Sequence, residues 1–181
     1  MSQQGPDARP VASEVLKGEE GASWMRALQA CGGLTDGILA VTHPAQYRAG
    51  FDAQIKMSMR ASELRPYISQ WPFAYTAVQV MVNRLTIHHR DKTGRPGWFD
   101  LLLSFGTYGD TAVVAFRNLG ASVPYGTGSV VMVNSRVVIH AVPEVPPDRI
   151  CYAFFMSDVA HEWLGIEDPG WSKVGDRRRG E

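Results

Sequence analysis

His88-His89-Arg90-Asp91 lies a few residues beyond a strongly apolar run that ends at Asn83, and it decides how the chain is read. His89 and Asp91, one residue apart, can turn an imidazole and a carboxylate toward a common point from a strand end. His140, near the end of a later apolar run, can complete a three-ligand face. Arg149 follows nine residues further on, at the start of the last such run. Two histidines and one carboxylate with open positions are the ligand set of a non-haem iron(II) site. The same set also serves hydrolytic zinc. Arg84 and Arg149 favour iron, since cations are needed for a dicarboxylate co-substrate and a zinc hydrolase has no such need; the plainer role for both is a surface ion pair. The letters His89-Arg90-Asp91 also occur in kinase catalytic loops, but the downstream Asn, the Gly-rich loop and the lysine strand are missing.

Outward from this stretch the pattern is of strands: Tyr75 to Asn83, Trp98 to Phe105, Ala112 to Arg117, Ser129 to Val133, Val137 to Val142 and Ile150 to Phe155. They are short, rich in β-branched and aromatic residues, and parted by clusters such as Thr107-Tyr108-Gly109-Asp110 and Asn134-Ser135. No helical period interrupts them. Consecutive short strands without crossovers predict antiparallel pairing in a sandwich or jelly roll. The first part of the chain differs. Trp24, Leu28 and Cys31 share one face of a short helix that Gly32-Gly33 should end. Gly37 to Thr42 looks like a strand, with a short helix around Ala45 to Ala49 after His43-Pro44, and Ala61 to Gln70 is a helix that Pro66 kinks or starts. The expected fold class is α+β, a β core buttressed by N-terminal helices.

Length and composition set the bounds. At 181 residues with 45% hydrophobic content, one well-buried core is expected. We divide the chain into a flexible leader at 1–21, a single domain at 22–170 and a polar tail at 171–181, frayed from Asp176 onward. Lys plus Arg balances Asp plus Glu at 18 each, so any nucleic-acid partner must be held by a local patch. Cys31 and Cys151 are far apart, without metal-type spacing or a secretory signal, which predicts a reduced intracellular compartment. No apolar run reaches bilayer length, so no membrane partner is expected. A monomer is the expected state.

Asn83-Arg84, His89-x-Asp91, Trp98-Phe99-Asp100-Leu101-Leu102, His140 and Arg149-x-Cys151-Tyr152 through Phe155 together resemble the TET/JBP family of 2-oxoglutarate- and Fe(II)-dependent nucleic-acid base dioxygenases, and within it the small fungal-type branch. The similarity covers roughly Gly33 to Gly165. It implies a double-stranded β-helix with helical flanks. It also implies that His89, Asp91 and His140 hold catalytic Fe(II), that Arg84 reaches the inner carboxylate of 2-oxoglutarate, and that Arg149 binds the distal carboxylate through both arms of its fork. Cys151 stands where the family often has Ser, a weaker donor beside that carboxylate. The implied chemistry couples decarboxylation of 2-oxoglutarate to succinate with hydroxylation of a methyl group.

By the same resemblance the substrate is DNA with a flipped methylated base, 5-methylcytosine first, giving 5-hydroxymethylcytosine and serving DNA demethylation. N6-methyladenine and RNA bases are variants. Phe155 stands at the family's stacking position, though an ordinary core aromatic fits that place too. The polar readers fit less well, because Gly94 and Ser157 occupy positions where methylcytosine oxidases carry larger polar side chains; Asp158 or Glu162 would have to supply the contact. Arg90, Lys92 and Arg95 form a local basic loop suited to phosphates, with Lys173 and Arg177 to Arg179 as a second candidate. A DNA substrate would put the protein in the nucleus. Two readings compete: the same oxygenase chemistry on a protein or small molecule, and a catalytically silent jelly-roll binding module.

Overall fold

The computed structural model describes residues 9–143 and 147–173, which form two compact units: one from both ends of the chain, through Ala77 and from Met156, and one from Val78 to Phe155. Residues 1–8 and the stretch holding Arg177 to Arg179 lie outside the described residues.

The first unit is helical: α1 (Glu19–Ala27), α2 (Gln29–Thr42), α3 (Pro44–Arg60), α4 (Arg65–Ile68) and α5 (Asp158–Trp163). Its core is built from Ala12, Ala49, Ala53, Met57, Ala61, Leu64, Ala160, Leu164 and Ile166. Four expectations need correction here. Part of the 1–21 leader is packed, because Leu16 on a 3₁₀ turn (Glu14–Leu16) and Ala12 before it are buried; its polar composition hid two apolar anchors. Gly32-Gly33 does not end a helix but lies inside α2, where Gly32 is buried so close to the backbone of Pro72 that a Cβ could not fit. The Gly37 to Thr42 strand is the second half of the same helix. Its β-branched letters suit either structure over six residues, but Gly32, Thr35 and Leu39 bury one helical face, and Thr42 Oγ1 donates back to the Ile38 carbonyl at 2.7 Å. The short helix at Ala45 to Ala49 extends to Arg60. Pro44 occupies its first turn and His43 caps it, accepting from the Gln46 N–H at 3.2 Å through Nδ1. Pro66 starts α4 rather than kinking it.

The second unit holds the strands β1 (Ala77–Val82), β2 (Thr86–His89), β3 (Asp100–Gly106), β4 (Val113–Phe116), β5 (Ala121–Pro124), β6 (Val130–Val133), β7 (His140–Val142) and β8 (Arg149–Phe155). Two four-stranded sheets result, in the orders β1-β8-β3-β6 and β2-β7-β4-β5. Antiparallel pairs join β3 to β6 and β8, and β7 to β2 and β4. The chain is thus α+β. Strands β2 and β5 were not expected, being four residues each with weak alternation. The Val137 to Val142 strand is shorter than expected, because Asn134 closes a turn by accepting from Val137 N–H at 3.1 Å. Tyr108, Val114, Phe116, Tyr125, Val133 and Cys151 form much of this unit's core.

Two stability predictions follow from the helical unit. Gly33 has open space around a would-be Cβ. Gly33→Ala should therefore raise stability by about 0.5–1 kcal/mol while Gly32→Ala lowers it, as read by thermal melting. Asp36 accepts from the Ala74 N–H at 2.7 Å. Burial pushes its carboxyl from 3.8 up to about 6, against the opposing pull of that bond. A carboxyl raised on folding favours the native state most below about pH 4, and stability is lost as pH climbs toward 6. Asp36→Asn, which keeps the acceptor without the charge, should melt above the wild type at pH 7. That gap should close near pH 4.

Candidate metal centre

The second unit gathers its chemistry through strand register. His89 at the end of β2 faces His140 at the start of β7, and Phe116 of β4 flanks His140 on the other side. The two imidazole centroids lie 4.3 Å apart. Asp91, just past β2, brings a carboxylate oxygen to 3.6 Å from His89 Nε2. One donor atom from each of the three falls within 4.8 Å of the others, so His89, Asp91 and His140 could hold a metal ion.

The backbone sets the tautomers. His89 Nδ1 lies 2.7 Å from the Ile87 carbonyl and His140 Nδ1 3.0 Å from the Val138 carbonyl. A carbonyl only accepts, so each Nδ1 carries the proton and each Nε2 is left with a lone pair for a metal. The Asp91 loop is held from the segment before β7. Asp91 N–H donates to the Ser135 carbonyl at 3.0 Å, and Arg136 Nη1 donates to the carbonyls of Asp91 at 3.3 Å and Lys92 at 2.7 Å. Ser135 Oγ in turn hydrogen-bonds the carboxyl of half-buried Asp100. Burial pushes that carboxyl up to about 7, the Ser135 bond lowers it, and the nearby Asp91 charge raises it further.

All three donors line one cavity of about 220 Å³, which also reaches Arg84, Arg149 and Cys151. That is room for a molecule rather than a single water. Arg149 is only 2% exposed, yet among the described residues no carboxylate pairs with it. Its Nε donates to Ser104 Oγ at 3.2 Å. Ser104 and Tyr108 hydroxyls meet at 2.5 Å, and Tyr108 donates onward to the Tyr125 carbonyl at 2.8 Å, so the proton order runs from Arg149 inward. The guanidinium lies 4.6 Å above the Tyr125 ring. Tyr125 Oη meets Cys151 Sγ at 3.2 Å; burial is the largest influence on both groups, pushing each up and keeping Cys151 a thiol. A buried, unanswered guanidinium costs several kcal/mol unless an anion completes it. The cavity therefore fits a small dianion with one end at Arg149 and the other near the metal donors.

The remaining candidates scatter. Arg84 is exposed and lines the cavity. Phe155, the last residue of β8, is half-buried; strand alternation puts it on the same face as Arg149, Cys151 and Ala153. Arg90 and Lys92 are exposed, and Arg95 stacks 4.8 Å over Trp98. Gly94 has φ +93°, a conformation that disfavours any side chain. Ser157 and Asp158 belong to the helical unit. There Ser157 is buried, accepting at Oγ from the Ala160 N–H at 3.3 Å and donating its own N–H to Thr76 at 2.8 Å. It is a helix cap. Glu162 is exposed on α5 and Lys173 is exposed beyond it. Sequence reasoning missed Ser104, Tyr108, Tyr125, Ser135 and Arg136. Ser104, a lone hydroxyl in the apolar strand Leu101-Leu102-Leu103-Ser104-Phe105, was the one with a legible signal, because a buried polar group in such a strand needs a partner.

No curated protein matches the chain. The family model Tet_JBP, described as the oxygenase domain of the 2OGFeDO superfamily, matches residues 4–158. That superfamily uses Fe(II) and 2-oxoglutarate, which agrees with the three metal donors and the unanswered guanidinium on one cavity. His89→Ala should abolish the visible absorption of a bound Co(II) probe. Arg149→Leu should keep that signal while losing 2-oxoglutarate binding by calorimetry, with the apo protein melting no lower than wild type. The chain belongs to the Tet_JBP family and is a 2-oxoglutarate- and Fe(II)-dependent dioxygenase.

Proposed function

We propose that this dioxygenase oxidises the methyl group of a methylated nucleobase, with 5-methylcytosine in DNA the favoured substrate and N6-methyladenine or an RNA base as variants. The observation that carries this reading is the placement of the metal donors beside a basic loop. Arg90 and Lys92 flank Asp91 directly, both exposed, and the same loop continues to Arg95. A phosphate backbone held there would bring a base to the metal cavity only if that base left the stack. Phe155, on the cavity-facing side of β8, offers an aromatic face for such a base. We also infer a double-stranded β-helix for the second unit, supported by its paired strand orders β1-β8-β3-β6 and β2-β7-β4-β5.

His89, Asp91 and His140 would hold the iron, and Arg149 the distal carboxylate of 2-oxoglutarate. Bound together, iron and 2-oxoglutarate would activate dioxygen, the oxidant: one oxygen atom would enter the methyl group as hydroxyl and the other would enter succinate as 2-oxoglutarate loses CO2. The chain's residues do the placing. Backbone carbonyls hold both imidazoles with Nε2 free, Arg136 and Ser135 hold the Asp91 loop, and the Ser104–Tyr108 chain holds the guanidinium in one orientation. Arg84 brings a second cation to the cavity for the inner carboxylate. With a DNA substrate the protein would work in the nucleus.

The test is mass spectrometry of nucleosides after incubating the enzyme, Fe(II), 2-oxoglutarate and oxygen with methylated oligonucleotides. Hydroxymethylcytosine, or loss of N6-methyladenine, is expected with wild type and absent with His89→Ala. Replacing Arg90 and Lys92 with Gln should weaken oligonucleotide binding and flatten its salt dependence by roughly one unit of log–log slope per lost phosphate contact. Succinate formation with every nucleoside unchanged would move the substrate to a protein or small molecule.

A further inference from the structure

We propose that Gln79 is the residue that reads the substrate inside the cavity, holding the hydrogen-bonding edge of the flipped base; this rests on the nucleobase reading above. Gln79 is the single polar residue of β1, in the run Ala77-Val78-Gln79-Val80-Met81-Val82. Strand alternation sends side chains to opposite faces. Gln79, itself exposed, and Met81 line the cavity, while Val80 and Val82 are exposed without lining it. A carboxamide thus stands on the inner face of an otherwise apolar strand, in the cavity that holds His89, Asp91 and His140.

The other polar groups of that cavity are already committed. His89, Asp91 and His140 are the metal donors. Arg149 bonds Ser104 and awaits an anion, the Tyr125 hydroxyl meets Cys151, and Thr86 Oγ1 accepts from the Val142 N–H at 2.9 Å. Arg84 can only donate. The side chain of Gln79 bonds to none of the described residues. Its carboxamide presents a donor beside an acceptor, the complement of a base edge that carries an amino group next to a ring nitrogen, as cytosine and adenine do. Gln79 also resolves the missing readers. Gly94 is held at a positive φ that suits glycine, and Ser157 is occupied as the cap of α5, so neither position supplies an edge contact. The polar reader has moved to the first strand of the sheet.

The experiment compares wild type with Gln79→Met, close in shape but unable to form these bonds, and with Gln79→Glu, which at neutral pH only accepts. Each is assayed with Fe(II) and 2-oxoglutarate on oligonucleotides carrying 5-methylcytosine or N6-methyladenine, and for succinate release without nucleic acid. Both variants are expected to lose roughly 10- to 100-fold in kcat/KM for base oxidation, the loss of a bidentate edge contact, while uncoupled succinate release and the KM for 2-oxoglutarate stay within about twofold. Base oxidation at the wild-type rate in Gln79→Met overturns the assignment. A parallel loss of uncoupled turnover overturns it too, since Gln79 would then serve the co-substrate or the fold. If wild type releases succinate but oxidises neither base, the nucleobase reading itself fails and the assignment falls with it, a result distinct from either of the others.

Discussion

Arg149 is a guanidinium taken out of water with no carboxylate among the described residues to answer it, and the cavity of the second unit is organised around that imbalance. Its charge is oriented rather than neutralised: Arg149, Ser104 and Tyr108 donate in turn, the chain ends on the accepting Tyr125 carbonyl, and the guanidinium lies over the Tyr125 ring. Such a group is costly in the free protein and becomes favourable when a carboxylate arrives. The strand that carries it also carries Cys151 and Ala153 on the same face, so one β-strand lines both the anion end and the middle of the cavity.

The metal face is produced in a different way. Nothing in β2 or β7 alone brings His89 to His140; the register across that antiparallel pair does. Each imidazole is then fixed by a carbonyl two residues earlier in the chain, Ile87 within β2 and Val138 just before β7, a local contact that settles which nitrogen faces the metal. Asp91 lies outside the ladder and depends on Ser135 and Arg136 for its position. The first two ligands are therefore strand-borne, and the third is loop-borne and braced.

Two polar residues set among apolar neighbours in strands line or brace the cavity. Ser104 in β3 anchors the guanidinium, and Gln79 in β1 lines the cavity with its amide bonded to none of the described residues. A buried hydroxyl needs a partner, and Ser104 finds one in Arg149 of β8. Gly94 and Ser157 show the converse. Their letters invited a role in substrate reading, yet one is dictated by backbone conformation and the other by a helix end.

The sequence by itself determined the residue types that matter: the His-x-Asp pair, the later His, the arginines and the succession of short strands, because each has a chemical or periodic signature within a few residues. It also placed most strand boundaries within one to three residues. Local pattern failed where a neighbour distant in sequence decides the outcome. Gly32 reads as a helix terminator until Pro72 is packed against it, Gly37 to Thr42 reads as a strand until Leu39 is buried with Thr35 and Gly32 on one helical face, and Ala12 reads as part of a leader until α3 and α5 provide a core. Tyr125, Tyr108, Ser135 and Arg136 carried no signal, since their roles depend on partners as far as 17 to 45 residues away. Chemistry was legible because it is local to side chains. Position was not, because it is set by packing and register between segments that the chain order separates.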